Sequence, residues 1–295
     1  MVNVYEENLT YLNYMGYTND EIGDIMSTFK FKNAYVYNFI DILDEFDIDH
    51  FELHDMVFSD TLNQSVFVYS IECKYEQFAF MSPLVEIPDN QDPLEVRFAI
   101  FLTEDIIENE LFYKHVLGHE LAHIDFYDLP EYDDHEYQDR YPIIESYCDI
   151  KSLDLVETDE DKYEILNLLM ESIKSEDMYY DVISLREYEI RTKFMRLAIK
   201  GKLNAEMVGK YIKDNYTRHM EYLSENMKKY DEFKKSKLNI DDLSFKAFCY
   251  QEQMERDRLN KYFIWIPYFR YSYFIFYSTY QYDLLIRRLN IWRKK

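Results

Sequence analysis

Glycine and proline are scarce in this chain, with 5 and 6 among 295 residues. Tight turns with φ > 0, β-sandwiches, propellers and phosphate-cradling loops all draw heavily on glycine, so those architectures are disfavoured and helix should dominate. Cysteine is nearly absent too. Cys73, Cys148 and Cys249 are odd in number and widely spaced, which fits reduced thiols and a cytoplasmic location better than a disulfide framework. Positive charge is missing from the first half: residues 1–160 hold 7 Lys and Arg against 37 Asp and Glu, and the remainder holds 26 against 20. A half this acidic repels a phosphate backbone, so nucleic acid is not an expected partner. The start, MVNVYEENLT, has neither the basic nor the apolar region of a signal peptide. An uninterrupted apolar run is lacking as well. The densest stretch, Tyr262 to Tyr282, is broken by Pro267, Arg270 and many phenolic hydroxyls, whereas a membrane span needs about 20 predominantly apolar residues. It reads as a buried segment, or as one that a protein partner covers.

What the chain does have is apolar payload: 47% hydrophobic residues and 18% aromatic, including 30 Tyr and 21 Phe, enough to build a core. The length favours more than one unit. Residues 1–55 read as a helical N-terminal unit, in which Thr18 and Glu21 form a capping box before NDEIGDIM. From about Thr61 the runs SVFVYSIECKY, QFAFMSPLVEI and LEVRFAIFL are rich in Val, Ile, Phe and Tyr and predict three or four strands. Thr103 then caps a helix through TEDIIENELFYKHVLGHELAHIDF, and Pro142 opens another through IIESYCDIKSLDLV. These place a catalytic unit at 56–160. Residues 161–295 read as a helical C-terminal lobe whose aromatic segment is the candidate partner surface.

The chemistry concentrates in His119-Glu120-Leu121-Ala122-His123. Residues four apart share one helical face, about 5–6 Å apart at Cβ, so both imidazoles can reach one Zn2+ with bonds of about 2.0–2.1 Å. Glu120 lies about 100° round the helix, beside the ion's open side. Leu117, Leu121 and Ile124 form the opposite, apolar face. A catalytic zinc usually takes three protein ligands and water, so a third must come from elsewhere. Glu145 and Asp149, again i and i+4, lie on the helix that opens at Pro142. The 21 intervening residues allow it to return antiparallel. Glu145 is then the third ligand, and Asp149 accepts a ring N–H from His119 or His123 and fixes its tautomer. His115, four before His119, lines the cleft or bonds a carboxylate. His135 falls in an acidic loop, and His50 and His54 in a polar surface stretch. His219 is the candidate oxyanion donor from the downstream helices.

HELAH followed by ESYCD resembles the gluzincin branch of zinc metallopeptidases, which carry HExxH on one helix and a glutamate ligand in ExxxD on the next. The short spacing, the preceding strands and the small residue before the aspartate, here Cys148, also resemble the compact ImmA/IrrE-type regulatory peptidases. The resemblance covers roughly residues 95–156. It implies an α+β fold with a zincin-like small sheet beside the active-site helices and helical lobes on both flanks. It also implies hydrolysis of a peptide bond in a protein or peptide substrate. Zn2+ would polarise the carbonyl and activate a water, and Glu120 would take that water's proton and pass it to the leaving amine. In that layout the strand at Val96 to Leu102 could offer an edge to an extended peptide. The competing reading is a non-catalytic regulator or host-interaction protein with a structural metal and an aromatic binding lobe.

Overall fold

The computed structural model describes residues 3–31, 33–75, 77–90, 92, 94–129, 142–172, 182–214 and 216–217. His135, His219, Cys249 and the Tyr262–Tyr282 segment lie outside them. The chain divides into two compact units, one of Met1–Ile165 with Asn204–Glu206, the other of Leu166–Leu203 with Met207–Lys295.

The first unit begins with α1 (Val4–Tyr14) and α2 (Asn19–Thr28). The capping box is present: the backbone N–H of Glu21 donates to Thr18 Oγ1, and the backbone N–H of Thr18 donates to Glu21 Oε2. Strand β1 (Tyr37–Asn38) leads into α3 (Phe39–Glu45), then β2 (His50–Ser59), β3 (Gln64–Glu72), β4 (Ala79–Val85) and β5 (Arg97–Thr103). The strands form one mixed five-stranded sheet in the order β1-β4-β5-β3-β2. Strand pairs β2–β3 and β4–β5 are antiparallel, while β3–β5 and β1–β4 are parallel. The architecture is therefore α+β, as expected.

Alternation along the strands gives the sheet two apolar faces. Phe67, Tyr69, Ile71, Leu84, Ala99 and Phe101 pack with Phe39 and Ile42 of α3 in one core. On the other face Phe98 meets Phe29, Phe31 and Tyr127. Leu12, Ile22 and Ile25 of α1 and α2 share a second core with Val36, Val85 and Val96. Residues 1–55 thus hold β1 and the start of β2 beside their three helices, and those helices bury their apolar faces on the sheet.

Three local expectations are corrected. The β region starts at His50, because β2 pairs with β3 over its whole length. The strand before the motif helix offers no edge: β5 is the central strand, with β4 on one side and β3 on the other. The helix read from Thr103 is broken into α4 (Glu104–Ile107) and α5 (Glu110–His123). Asn109 breaks it, since its side chain accepts from the N–H of Phe112 and restarts the helix as a new N-cap. Thr103 meanwhile spends its hydroxyl on the backbone of Phe78.

After α5 come a 3-10 turn at Ile124–Phe126, α6 (Pro142–Ser152), a second 3-10 turn at Leu153–Leu155 and α7 (Asp159–Ser172). The second unit contains the end of α7 and α8 (Val182–Ile199), with Phe194, Met195, Val208 and Ile212 buried. Among the described residues no helix is long and apolar enough to cross a membrane.

Candidate metal centre

Helix α5 is buried at every residue from His115 to Glu120, so the histidine face is enclosed as well as the apolar face opposite it. It touches β4 of the sheet on one side and α6 on the other. The close approach of α5 and α6 is set by Gly118. A Cβ there would meet Ser152 Cα at 2.9 Å and Ser152 Cβ at 3.0 Å, so only glycine lets the two backbones pass at this distance. A second tie fixes the turn after α5, where the Tyr147 hydroxyl donates to the Asp125 carboxylate and the Tyr147 ring packs edge-on against Phe126 at 4.8 Å. The Tyr147 hydroxyl is pushed well up by burial and by that carboxylate, so it stays protonated as the donor.

This packing brings together the side chains that the sequence pairs. His119 Nε2 and His123 Nε2 are 3.3 Å apart. Glu145 Oε2 lies 3.2 Å from His119 Nε2, and Glu145 Oε1 lies 3.7 Å from His123 Nε2. Ligands on a tetrahedral zinc with bonds of about 2.0–2.1 Å are separated by about 3.3–3.4 Å, so the two nitrogens already stand at that spacing and the Glu145 carboxylate turns one oxygen to each of them. Cys148 belongs to the same cluster: one ligand atom each from His119, His123 and Cys148 lies within 4.8 Å of the others. The described residues therefore include a group able to hold a metal ion.

Behind the donors stands Asp149, fully buried, with its Oδ1 accepting from His119 Nδ1–H at 2.9 Å. That bond turns Nε2 toward Glu145 and makes Asp149 the tautomer-fixing partner of His119. His115 is buried one turn earlier, its Nε2 3.9 Å from Asp149 Oδ1. Its Nδ1 is 2.6 Å from Ser152 Oγ, which in turn donates to the Asp149 backbone carbonyl at 2.7 Å. At 3.9 Å His115 is near the Asp149 carboxylate without a hydrogen bond between those two atoms.

The electrostatics follow from this enclosure. Burial by itself depresses the His119 imidazole, but the Asp149 and Glu145 carboxylates outweigh it and hold the group up at about 10. The field that binds a proton so firmly also favours a divalent cation. Exposure rises from Asp149 at 0% through the His119 and His123 side chains at 10% and 18% to Glu145 at 37%, so the shell opens to solvent on the Glu145 side. Glu120 is buried beside the histidines on α5.

Sequence reasoning missed Ser152, Gly118 and the proximity of Cys148. A glycine inside a helix of a chain with only 5 was the available signal for Gly118. Nothing local marks Ser152 or Cys148. In comparisons with known proteins, the chain matches no family model, no curated protein and no solved structure.

Proposed function

We propose that the protein is a zinc metallopeptidase that hydrolyses a peptide bond in a protein or peptide substrate. The observation that carries this reading is the convergence of His119 Nε2 and His123 Nε2, 3.3 Å apart, on the Glu145 carboxylate, whose Oε2 lies 3.2 Å from the first and whose Oε1 lies 3.7 Å from the second. Two imidazole nitrogens and one carboxylate match a catalytic zinc shell, in which three protein donors leave a fourth position open. When bound, Zn2+ supplies a Lewis acid for the scissile carbonyl and brings water into its reactive range near neutral pH.

The chain's residues do the rest. Asp149 holds His119 in the tautomer that keeps Nε2 available, and Gly118 lets α6 deliver Glu145 to the same point. Glu145, at the exposed end of the cluster, marks the side from which substrate enters. Glu120, next in sequence to His119, takes a proton from the attacking water and returns it to the leaving amine.

The test is metal analysis of the purified protein together with its Glu120→Gln variant. About one zinc per chain is expected in both. Cleaved substrates found by proteomics should appear with the wild type and be absent with Glu120→Gln at equal zinc content. Equal cleavage by both would remove Glu120 as the base. Full zinc retained by a folded His119→Ala, His123→Ala double variant would remove the metal site itself.

A further inference from the structure

We propose that Cys148 is a fourth protein donor to the metal, so that the resting site is closed by a thiolate. The inference rests on the metal reading above and deepens it by naming how the site is held in check. Cys148 lies on α6 three residues after Glu145, and positions i and i+3 on a helix are neighbours. It is fully buried, and its sulfur is clustered with one nitrogen each of His119 and His123 within 4.8 Å. A thiolate and an imidazole on one tetrahedral zinc are about 3.6 Å apart, given bonds of about 2.3 Å to sulfur and about 2.0–2.1 Å to nitrogen. At most about 1.2 Å separates the observed spacing from that value, which lies within the swing of a single cysteine χ1 torsion.

The chemistry favours the same outcome. A thiol meeting a divalent cation loses its proton to solvent as the metal–sulfur bond forms, and a buried thiol gains more from that than one with water to compete. His119, His123, Glu145 and Cys148 would then form a four-donor protein shell, the arrangement of a closed site. Water enters only when one donor leaves. Glu145 is the exposed donor and Cys148 the buried one, so the thiolate closes the shell from the protein side and the carboxylate from the solvent side. The thiolate also biases the site toward thiophilic cations over Mg2+ and Ca2+.

The experiment is Co2+ substitution of the full chain. Tetrahedral Co2+ gives visible d–d bands, and a thiolate ligand adds an intense near-ultraviolet charge-transfer band. Wild type and Cys73→Ser should both show that band. Cys148→Ala should bind Co2+ with d–d bands but without it, and its zinc affinity should fall by more than the roughly 10- to 100-fold that loss of an outer partner causes. Cys148→Ser covers the case in which the alanine variant does not fold. A wild-type spectrum with d–d bands and no charge-transfer band overturns Cys148 as a ligand while leaving the metal site standing. Failure of the wild type to bind Co2+ or Zn2+ stoichiometrically overturns both readings. A Cys148-dependent band in a protein that shows no Glu120-dependent cleavage supports the thiolate and overturns the peptidase.

Discussion

Gly118→Ala tests whether the two helices that carry the candidate metal centre are held at the distance that the centre needs. The added methyl would stand 2.9 Å from Ser152 Cα, 3.0 Å from Ser152 Cβ and 2.9 Å from Leu155 Cδ1. Carbon–carbon contacts become comfortable at about 3.5 Å, so roughly 0.6 Å must be found. Leu155 is exposed and can swing its methyl aside. Ser152 Cα cannot, because it belongs to the α6 backbone and the serine hydroxyl is tied to His115 and to the Asp149 carbonyl. Alanine gains about 0.8–1.0 kcal/mol over glycine in a helix interior, and overpacking of this kind costs about 1–3 kcal/mol. The net effect is a loss of about 0–2 kcal/mol, read as a fall in Tm of roughly 2–4 °C per kcal/mol at this size. The functional effect is larger than the net stability suggests. An α6 that retreats by about half an ångström takes Glu145 and Asp149 away from the histidines, and zinc affinity should drop at least about 10-fold. Thermal melts with zinc and with chelator, plus competition titration, separate the two effects. The zinc-loaded melt should fall further than the stripped one, because the metal's contribution to stability shrinks with its affinity. A variant that melts higher than wild type and binds zinc unchanged would show that the helices are not in contact as described.

Further outcomes follow from the same geometry. Asp149→Ala should weaken zinc binding roughly 10- to 100-fold while a folded protein is retained, and unchanged affinity by competition titration would mean that the His119 bond does not orient the ligand. Because His119 is held up at about 10 from an ordinary 6.5, zinc must displace its proton near neutral pH. Calorimetry in two buffers of different ionisation enthalpy should show proton release on binding, and affinity should rise as pH climbs through that window. The same shift acts on the metal-stripped protein with the opposite sign: the stability that protonated His119 contributes is complete below pH 6.5 and is lost as pH rises toward about 10. Denaturant midpoints of stripped protein that stay flat across this range would contradict the Asp149–His119–Glu145 arrangement.

Most local signals in the sequence are legible, although the break at Asn109 is not, and among the non-local ones strand order is not. The Thr18–Glu21 box and the strands β3, β4 and β5 depend on neighbours a few residues away, and each is found where its residues place it. Strand β2 was hidden by its own composition. Its exposed and half-buried residues alternate from His50 to Leu53, and then a bulge between Leu53 and Asp55 breaks the period. The centrality of β5 could not be read at all, since strand order is set by pairing partners far apart in the chain. At the site, the i, i+4 spacings of His119 with His123 and of Glu145 with Asp149 made both halves legible. The register between the halves depends on Gly118 meeting Ser152 across 33 intervening positions, and no local pattern encodes that.

Charge balance explains why these residues tolerate one another's company. Glu120, Asp149 and His119 are buried, and Glu145 faces both imidazoles. Asp149 and Glu145 both face His119, and the full burial of Asp149 is costly unless positive charge is supplied beside it. The protein can supply one unit by protonating His119, which is why that imidazole binds its proton so much more tightly than burial alone would permit. A proton on His119, however, occupies the nitrogen that faces Glu145. A divalent cation placed among His119 Nε2, His123 Nε2 and the Glu145 carboxylate would compensate both carboxylates at once, engage both imidazoles in neutral form and return His119 Nδ1–H to Asp149 alone. The acidic surroundings of the first 160 residues add a long-range attraction of the same sign. The arrangement is thus better balanced as a cation site than as a protonated histidine cluster.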